Sequence, residues 1–86
     1  MHRFEWDHAK NRSNIEKHGV DFRGASRVFQ DLDHFERLAL VDEIREIRRI
    51  AIGSDGFDVL AVVCTDRADR IRIISARRAS NACNGI

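Results

Sequence analysis

Tyrosine and proline are absent from the 86 residues and tryptophan occurs once, so few large side chains are available for a core and no proline-rich linker divides the chain. Repeats and low-complexity segments are missing too, and the length suits one domain. A domain this small buries a modest fraction of its surface, so a tight complex with a partner would add stability it lacks alone. The cysteines are Cys64, inside an apolar run, and Cys83, in the tail. They offer neither a zinc-ligand spacing nor a disulfide framework, which fits a reduced, cytoplasmic compartment. No apolar stretch has the length of a signal-peptide core or a bilayer span, so a soluble intracellular protein with no membrane partner is expected. Lysine is scarce as well: Lys10 and Lys17 stand against thirteen arginines. The planar guanidinium fork favours bidentate contact with phosphate or carboxylate over simple solubilisation.

The formal net charge is only +1, but it is unevenly spread. Asp31 to Glu46 holds six acids against Arg37 and Arg45, whereas Arg67 to Ile86 holds five arginines against Asp69. The most informative stretch lies in that basic part, at Arg70-Ile71-Arg72-Ile73-Ile74-Ser75-Ala76-Arg77-Arg78. Arginine alternating with isoleucine suits a strand that buries one face and presents guanidinium groups on the other. That arrangement points to nucleic acid.

Element signals divide the chain into halves. Phe4-Glu5-Trp6 reads as a short entry strand, Asp7 as an N-cap, and the stretch to His18 as a helix closed by Gly19. Asp21 offers a second N-cap, with Phe22, Ala25, Val28 and Phe29 at helical spacing through Gln30. Strand-forming runs then cover Phe35 to Val41, Ile47 to Gly53, Val59 to Thr65 and Arg70 to Ser75, separated by Asp42-Glu43, Ser54-Asp55-Gly56 and Asp66-Arg67-Ala68-Asp69. Connections this short favour an antiparallel meander, so the expected fold class is α+β, two N-terminal helices packed on one face of an antiparallel sheet. The expected core is Phe22, Val28, Phe29, Ile50, Ile52, Leu60, Val62, Ile71 and Ile73, with Cys64 as a small buried hydrophobe.

Several of these segments share an order and spacing with a known family. Phe4-Glu5-Trp6-Asp7, Lys10-Asn11, Asn14, Lys17-His18-Gly19-Val20-Asp21-Phe22, Arg48, Ile52-Gly53, Thr65-Asp66-Arg67 and the arginine-rich strand together resemble the BrnT family, from about Phe4 to Ser80. The resemblance implies a RelE-like fold and a ribonuclease toxin of a type II toxin–antitoxin system. RNA would be the substrate, a BrnA-like antitoxin the partner in a hetero-oligomer, and operator DNA would be reached only through that antitoxin. Residues 1–86 form a single such domain in this reading. Members of the family usually continue into a charged C-terminal helix, which the short polar segment Ser80-Asn81-Ala82-Cys83-Asn84-Gly85-Ile86 does not supply. This departure motivates an alternative reading, a catalytically weak or inactive module that binds RNA or antitoxin.

Cleavage of RNA through its own 2′-hydroxyl needs a group to take that proton, a group to protonate the leaving 5′-oxygen, and cations around the pentacoordinate phosphorus. The sequence shows no paired-carboxylate or histidine–cysteine cluster for a metal, so no cofactor and a metal-independent route are expected. Arg48, Arg72 and Arg77 match positions in the family pattern and are the candidate transition-state contacts. The competing reading is that strand arginines pair with acids across the sheet. His18 is the candidate acid or phosphate binder, because imidazole exchanges protons near neutrality and a helix C-terminus favours its cation. Lys-His-Gly is equally an ordinary helix ending. Lys10, Lys17, Arg67, Arg70 and Arg78 are the candidate nucleic-acid contacts. Lys10, Asn11 and Asn14 share a helical face that suits either the sugar–phosphate backbone or solvent. Glu5 reads as a base or a strand end, and Trp6 as a base-stacking group or an anchor against the first helix. His2, His8 and His34 stand alone, and the acidic stretch is a surface or partner contact.

Overall fold

Asp7 and Gly19 bracket the first helix as their chemistry requires. In the computed structural model, which describes residues 3–41 and 47–79, the Asp7 carboxylate accepts from the backbone N–H groups of Ala9 and Lys10 at 2.8 and 3.2 Å. It thereby satisfies donors that the first turn leaves open. The chain enters through β1 (Arg3–Glu5) and continues into α1 (His8–His18). Gly19 ends α1 in the left-handed region at φ 70°, with its N–H on the Ile15 carbonyl.

Asp21 caps α2, which spans only Phe22–Ala25 and passes into a 3-10 helix at Ser26–Gln30. The single helix expected through Gln30 is therefore divided. Gly24 weakens the α-helix at this point, and the Ser26 hydroxyl donates to the Arg23 carbonyl at 2.7 Å, a local bond that competes with the regular ladder.

β2 (Phe35–Val41), β3 (Ile47–Ser54), β4 (Val59–Arg67) and β5 (Arg70–Arg78) form consecutive antiparallel pairs. The β3–β4 turn is held by Asp55, whose carboxylate accepts from Phe57 and Asp58 N–H at 2.8 Å each. The meander is not the whole sheet. Its order is β1-β5-β4-β3-β2, and β1 pairs with β5 in parallel, with Phe4 opposite Ile71 and Glu5 opposite Arg72. The expectation of a purely antiparallel sheet is corrected accordingly: a parallel pair needs a long crossover, and here the rest of the fold supplies one.

Alternation along the strands creates two apolar layers. Phe22 and Val28 are fully buried against Leu60, Val62, Cys64 and Ile73, and covering each such side chain contributes about 1.5–3 kcal/mol. Phe4 joins this layer through Phe29, with ring centroids 5.4 Å apart. Trp6 meets Phe22 of α2 edge-on at 6.3 Å and packs partly buried against the same layer. Ile52 clusters separately with Ala61 and Ala79, and Ile50 packs partly buried against them. These two isoleucines, assigned from sequence to one common core, thus belong to a second layer, because their register partners Ala61 and Val63 alternate with the core residues Leu60 and Val62.

Since β1 pairs only with residues Arg70, Ile71 and Arg72, the later part of β5 has no strand on that side among the described residues. Asn14, 6% exposed, takes the place of one. Its amide nitrogen donates to the Ala76 carbonyl at 2.8 Å and to that of Val20 at 2.9 Å, while its oxygen accepts from Ala76 N–H at 3.2 Å. Asn11 similarly accepts from Phe22 N–H at 2.8 Å and donates to Asp21 at 3.2 Å, tying α1 to the start of α2. Asp42-Glu43, the remaining acids to Glu46 and the tail from Ser80, for which the sequence raises expectations above, lie outside the described residues.

Candidate nucleic-acid interface

Arg48, Thr65 and Arg72 are register partners in a row across β3, β4 and β5. Arg77 lies opposite Ala61, and Ala61 opposite Ile52, on the same side of the sheet. Arg72 and Arg77 are an odd number of residues apart, so strict alternation would send them to opposite faces. A β-bulge prevents this. Cys64 pairs with Ile73 but Val63 with Ser75, leaving Ile74 as the extra residue and returning Arg77 to the side of Arg72. Arg67 and Arg70, partners at the β4–β5 turn, have the same parity. Five of the arginines chosen from sequence therefore share one face.

Arg78 does not join them. It pairs with Leu60 on the helix side, and its Nη1 donates to the His18 carbonyl at 3.1 Å, while its Nε lies 3.4 Å from Asp58. These contacts link the end of α1 to β5, and they set Arg78 on the opposite side of the sheet from the other five arginines.

The remaining candidates gather at the edge of β5. Lys10, Ser13, Lys17 and His18 of α1, with Ile74 and Ser75 of β5, line a groove of about 210 Å³. Ser75 joins the two groups: it lines this groove, and its register with Val63 places it on the arginine face between Arg72 and Arg77. It was not selected from the sequence. The signal available there was the odd separation of Arg72 and Arg77, which demands a bulge if both are to serve one surface. Asn14 lines this groove beside Lys10, but its carboxamide is committed to Val20 and Ala76, and Asn11 is tied to Asp21 and Phe22.

Acids accompany several of the arginines. Arg72 Nη1 donates to Glu5 Oε2 at 2.8 Å, and Arg70 Nη1 lies 3.6 Å from Glu5 Oε1. The hydrogen bond from Arg72 holds the Glu5 carboxyl below the usual carboxylate range. Arg49, the neighbour of Arg48, points to the helix side, where it pairs with Glu36 and with Asp66 at 2.8 Å and lies over the Phe29 ring at 5.9 Å. His34 extends this cluster and is not isolated as its sequence position suggested. Its Nδ1 is 2.7 Å from the Asp31 carbonyl and its Nε2 2.8 Å from Glu36. Because both partners are acceptors, both ring nitrogens donate, which describes an imidazolium. The Asp31 carbonyl, followed by Glu36, raises its pKa.

Among the described residues no group of three or more His, Cys, Asp or Glu side chains is arranged to hold a metal ion, and no helix is long and apolar enough to cross a membrane. The arrangement can do what arginine-rich sheet faces do, which is to bind phosphodiesters and stabilise charge that develops on phosphoryl oxygens.

Residues 6–82 match the family described as the ribonuclease toxin BrnT of type II toxin–antitoxin systems, and the chain belongs to that family. Membership brings an RNA target and an antitoxin partner. No curated protein matches the chain.

Proposed function

We propose that this BrnT-family chain is a RelE-like single-domain endoribonuclease, residues 1–86, that acts in the cytoplasm by metal-independent phosphodiester transfer. The observation that carries this reading is the bulge at Ile74, which puts Arg77 on the face already occupied by Arg48 and Arg72. In the reaction the RNA 2′-oxygen forms a bond to the adjacent phosphorus as its proton passes to a base. The bond from phosphorus to the 5′-oxygen breaks, and that oxygen receives a proton from an acid. Arg48, Arg72 and Arg77 stabilise the charge on the phosphoryl oxygens. His18 is the candidate acid, in a groove that meets the arginine face at Ser75. Lys10, Lys17, Arg67 and Arg70 hold flanking phosphates. A BrnA-like antitoxin neutralises the toxin by covering the basic face, and itself carries the DNA-binding function for the operator.

The test is cleavage of an RNA oligonucleotide by the purified chain in excess EDTA. Turnover is expected to persist, and Arg72→Ala is expected to lower kcat by about a hundredfold while changing RNA affinity less. Loss of activity in EDTA would overturn the metal-independent route. Full turnover in Arg72→Ala would remove the arginine face as the reacting site.

A further inference from the structure

Among the described strand residues, Glu5 is the only acid that the register places on the arginine face. A carboxylate there repels the phosphates the face is built to receive, so its presence calls for a compensating role. Its geometry supplies one. The parallel register sets Glu5 beside Arg72, and the two carboxylate oxygens are divided between neighbouring arginines, Oε2 on Arg72 at 2.8 Å and Oε1 towards Arg70 at 3.6 Å. The Glu5 and Arg72 side chains are 24% and 31% exposed, so neither is free to sample many rotamers. A guanidinium has five N–H donors. Among the described residues Glu5 engages one nitrogen of Arg72, which leaves further donors to meet a phosphate in the bidentate manner.

We propose that Glu5 is a positioning residue for RNA cleavage, fixing the guanidinium of Arg72 for the phosphoryl group in flight and steadying that of Arg70 for a flanking phosphate. This inference rests on the reading of Arg72 as a phosphate contact. Glu5 acts through Arg72 and takes no proton from the substrate.

The experiment measures kcat, KM and their pH dependence in EDTA for the full chain, for Glu5→Gln, Glu5→Asp and Arg72→Ala, and for the double variant Glu5→Gln/Arg72→Ala. Glu5→Gln is expected to lower kcat about tenfold or more through misplacement, with KM unchanged or reduced because a negative charge has left the RNA-binding face. The acid limb of the pH profile persists, Glu5→Asp restores part of the rate, and Glu5→Gln adds no loss in the Arg72→Ala background. An undiminished kcat in Glu5→Gln, alongside a slow Arg72→Ala, overturns the positioning role and leaves the arginine reading intact. Disappearance of the acid limb in Glu5→Gln also overturns it, making Glu5 the proton acceptor. Full activity in Arg72→Ala overturns the underlying reading and this one together. Melting temperatures accompany each variant; if Glu5→Gln does not fold, an undiminished kcat in Glu5→Asp overturns the role and a reduced one supports it.

Discussion

Asn14 does with one carboxamide what a sixth strand would do with its backbone. It satisfies both the N–H and the carbonyl of Ala76 in a place that water barely reaches. Asn14→Ala leaves those groups buried and unpaired, and urea unfolding should show a loss of at least about 2 kcal/mol. Cys64 illustrates the opposite kind of burial. Burial pushes its thiol up to about 11 from an ordinary value of 9.0, which leaves about a hundredfold less thiolate near pH 8. In a Cys83→Ser chain, a thiol reagent should therefore label Cys64 only as fast as the protein unfolds. The burial of Cys64 was legible in its apolar run. The role of Asn14 was not, because helical spacing tells which residues share a face but not that the face meets an open strand edge.

At the scale of elements, turn and cap chemistry carried most of the legible information. Asp7, Gly19 and Asp21 set the helix limits as expected, and the runs beginning at Phe35, Ile47, Val59 and Arg70 became β2 to β5. The bulge and the parallel pairing of β1 depend on contacts between distant segments, so local patterns do not encode them. The site was partly legible for the same reason: the arginines were identifiable by type, their common face only by register. Gly53 shows how closely β3 approaches the turn before β2. A Cβ there would lie 2.6 Å from His34 Cβ and 3.0 Å from Asp31 Oδ2, whereas at Gly24 nothing lies within 4 Å. Gly53→Ala should cost about 1–3 kcal/mol, and Gly24→Ala in the short α2 should stabilise by about 0.5–1 kcal/mol; denaturant midpoints separate the two. His34, packed with Asp31, Glu36 and Arg49, adds a pH dependence to the same corner. Its folded pKa is raised above 6.5, so its stabilising contribution is complete below 6.5 and fades as pH rises through the folded value. The stability difference between the natural chain and His34→Ala should accordingly be larger at mildly acidic than at alkaline pH.

For the whole molecule the acids set the opposite limit. Glu5, Asp7, Asp31, Glu36 and Asp55 all have carboxyls held below their ordinary values. Their contribution is present above the values of 3.8 to 4.5 that the free side chains have, and it is lost as pH falls through the lower folded ones. A melting-temperature profile should drop on the acid side of about pH 4, while the His34 effect trims its alkaline side. The distribution of arginine is the second molecular property. With the net charge at only +1, the proposed attraction for RNA rests on the local sheet face, and binding measured with a non-cleavable oligonucleotide should weaken steeply with added salt.

The pairing of β1 with β5 also has a consequence for how the protein is made. Glu5 and Arg72 are 67 residues apart, and no shorter piece of the chain contains both. Translation proceeds at about 5–20 residues per second, so Glu5 waits on the order of several seconds for its partner to be synthesised, and longer for it to clear the ribosome. A nascent chain that has reached β4 contains the sequence of both helices and the early strands, but not yet the Arg72 that pairs with Glu5. The connectivity delays assembly of the arginine face until β5 has been synthesised, which sets an interval between the appearance of the first strand and completion of that face.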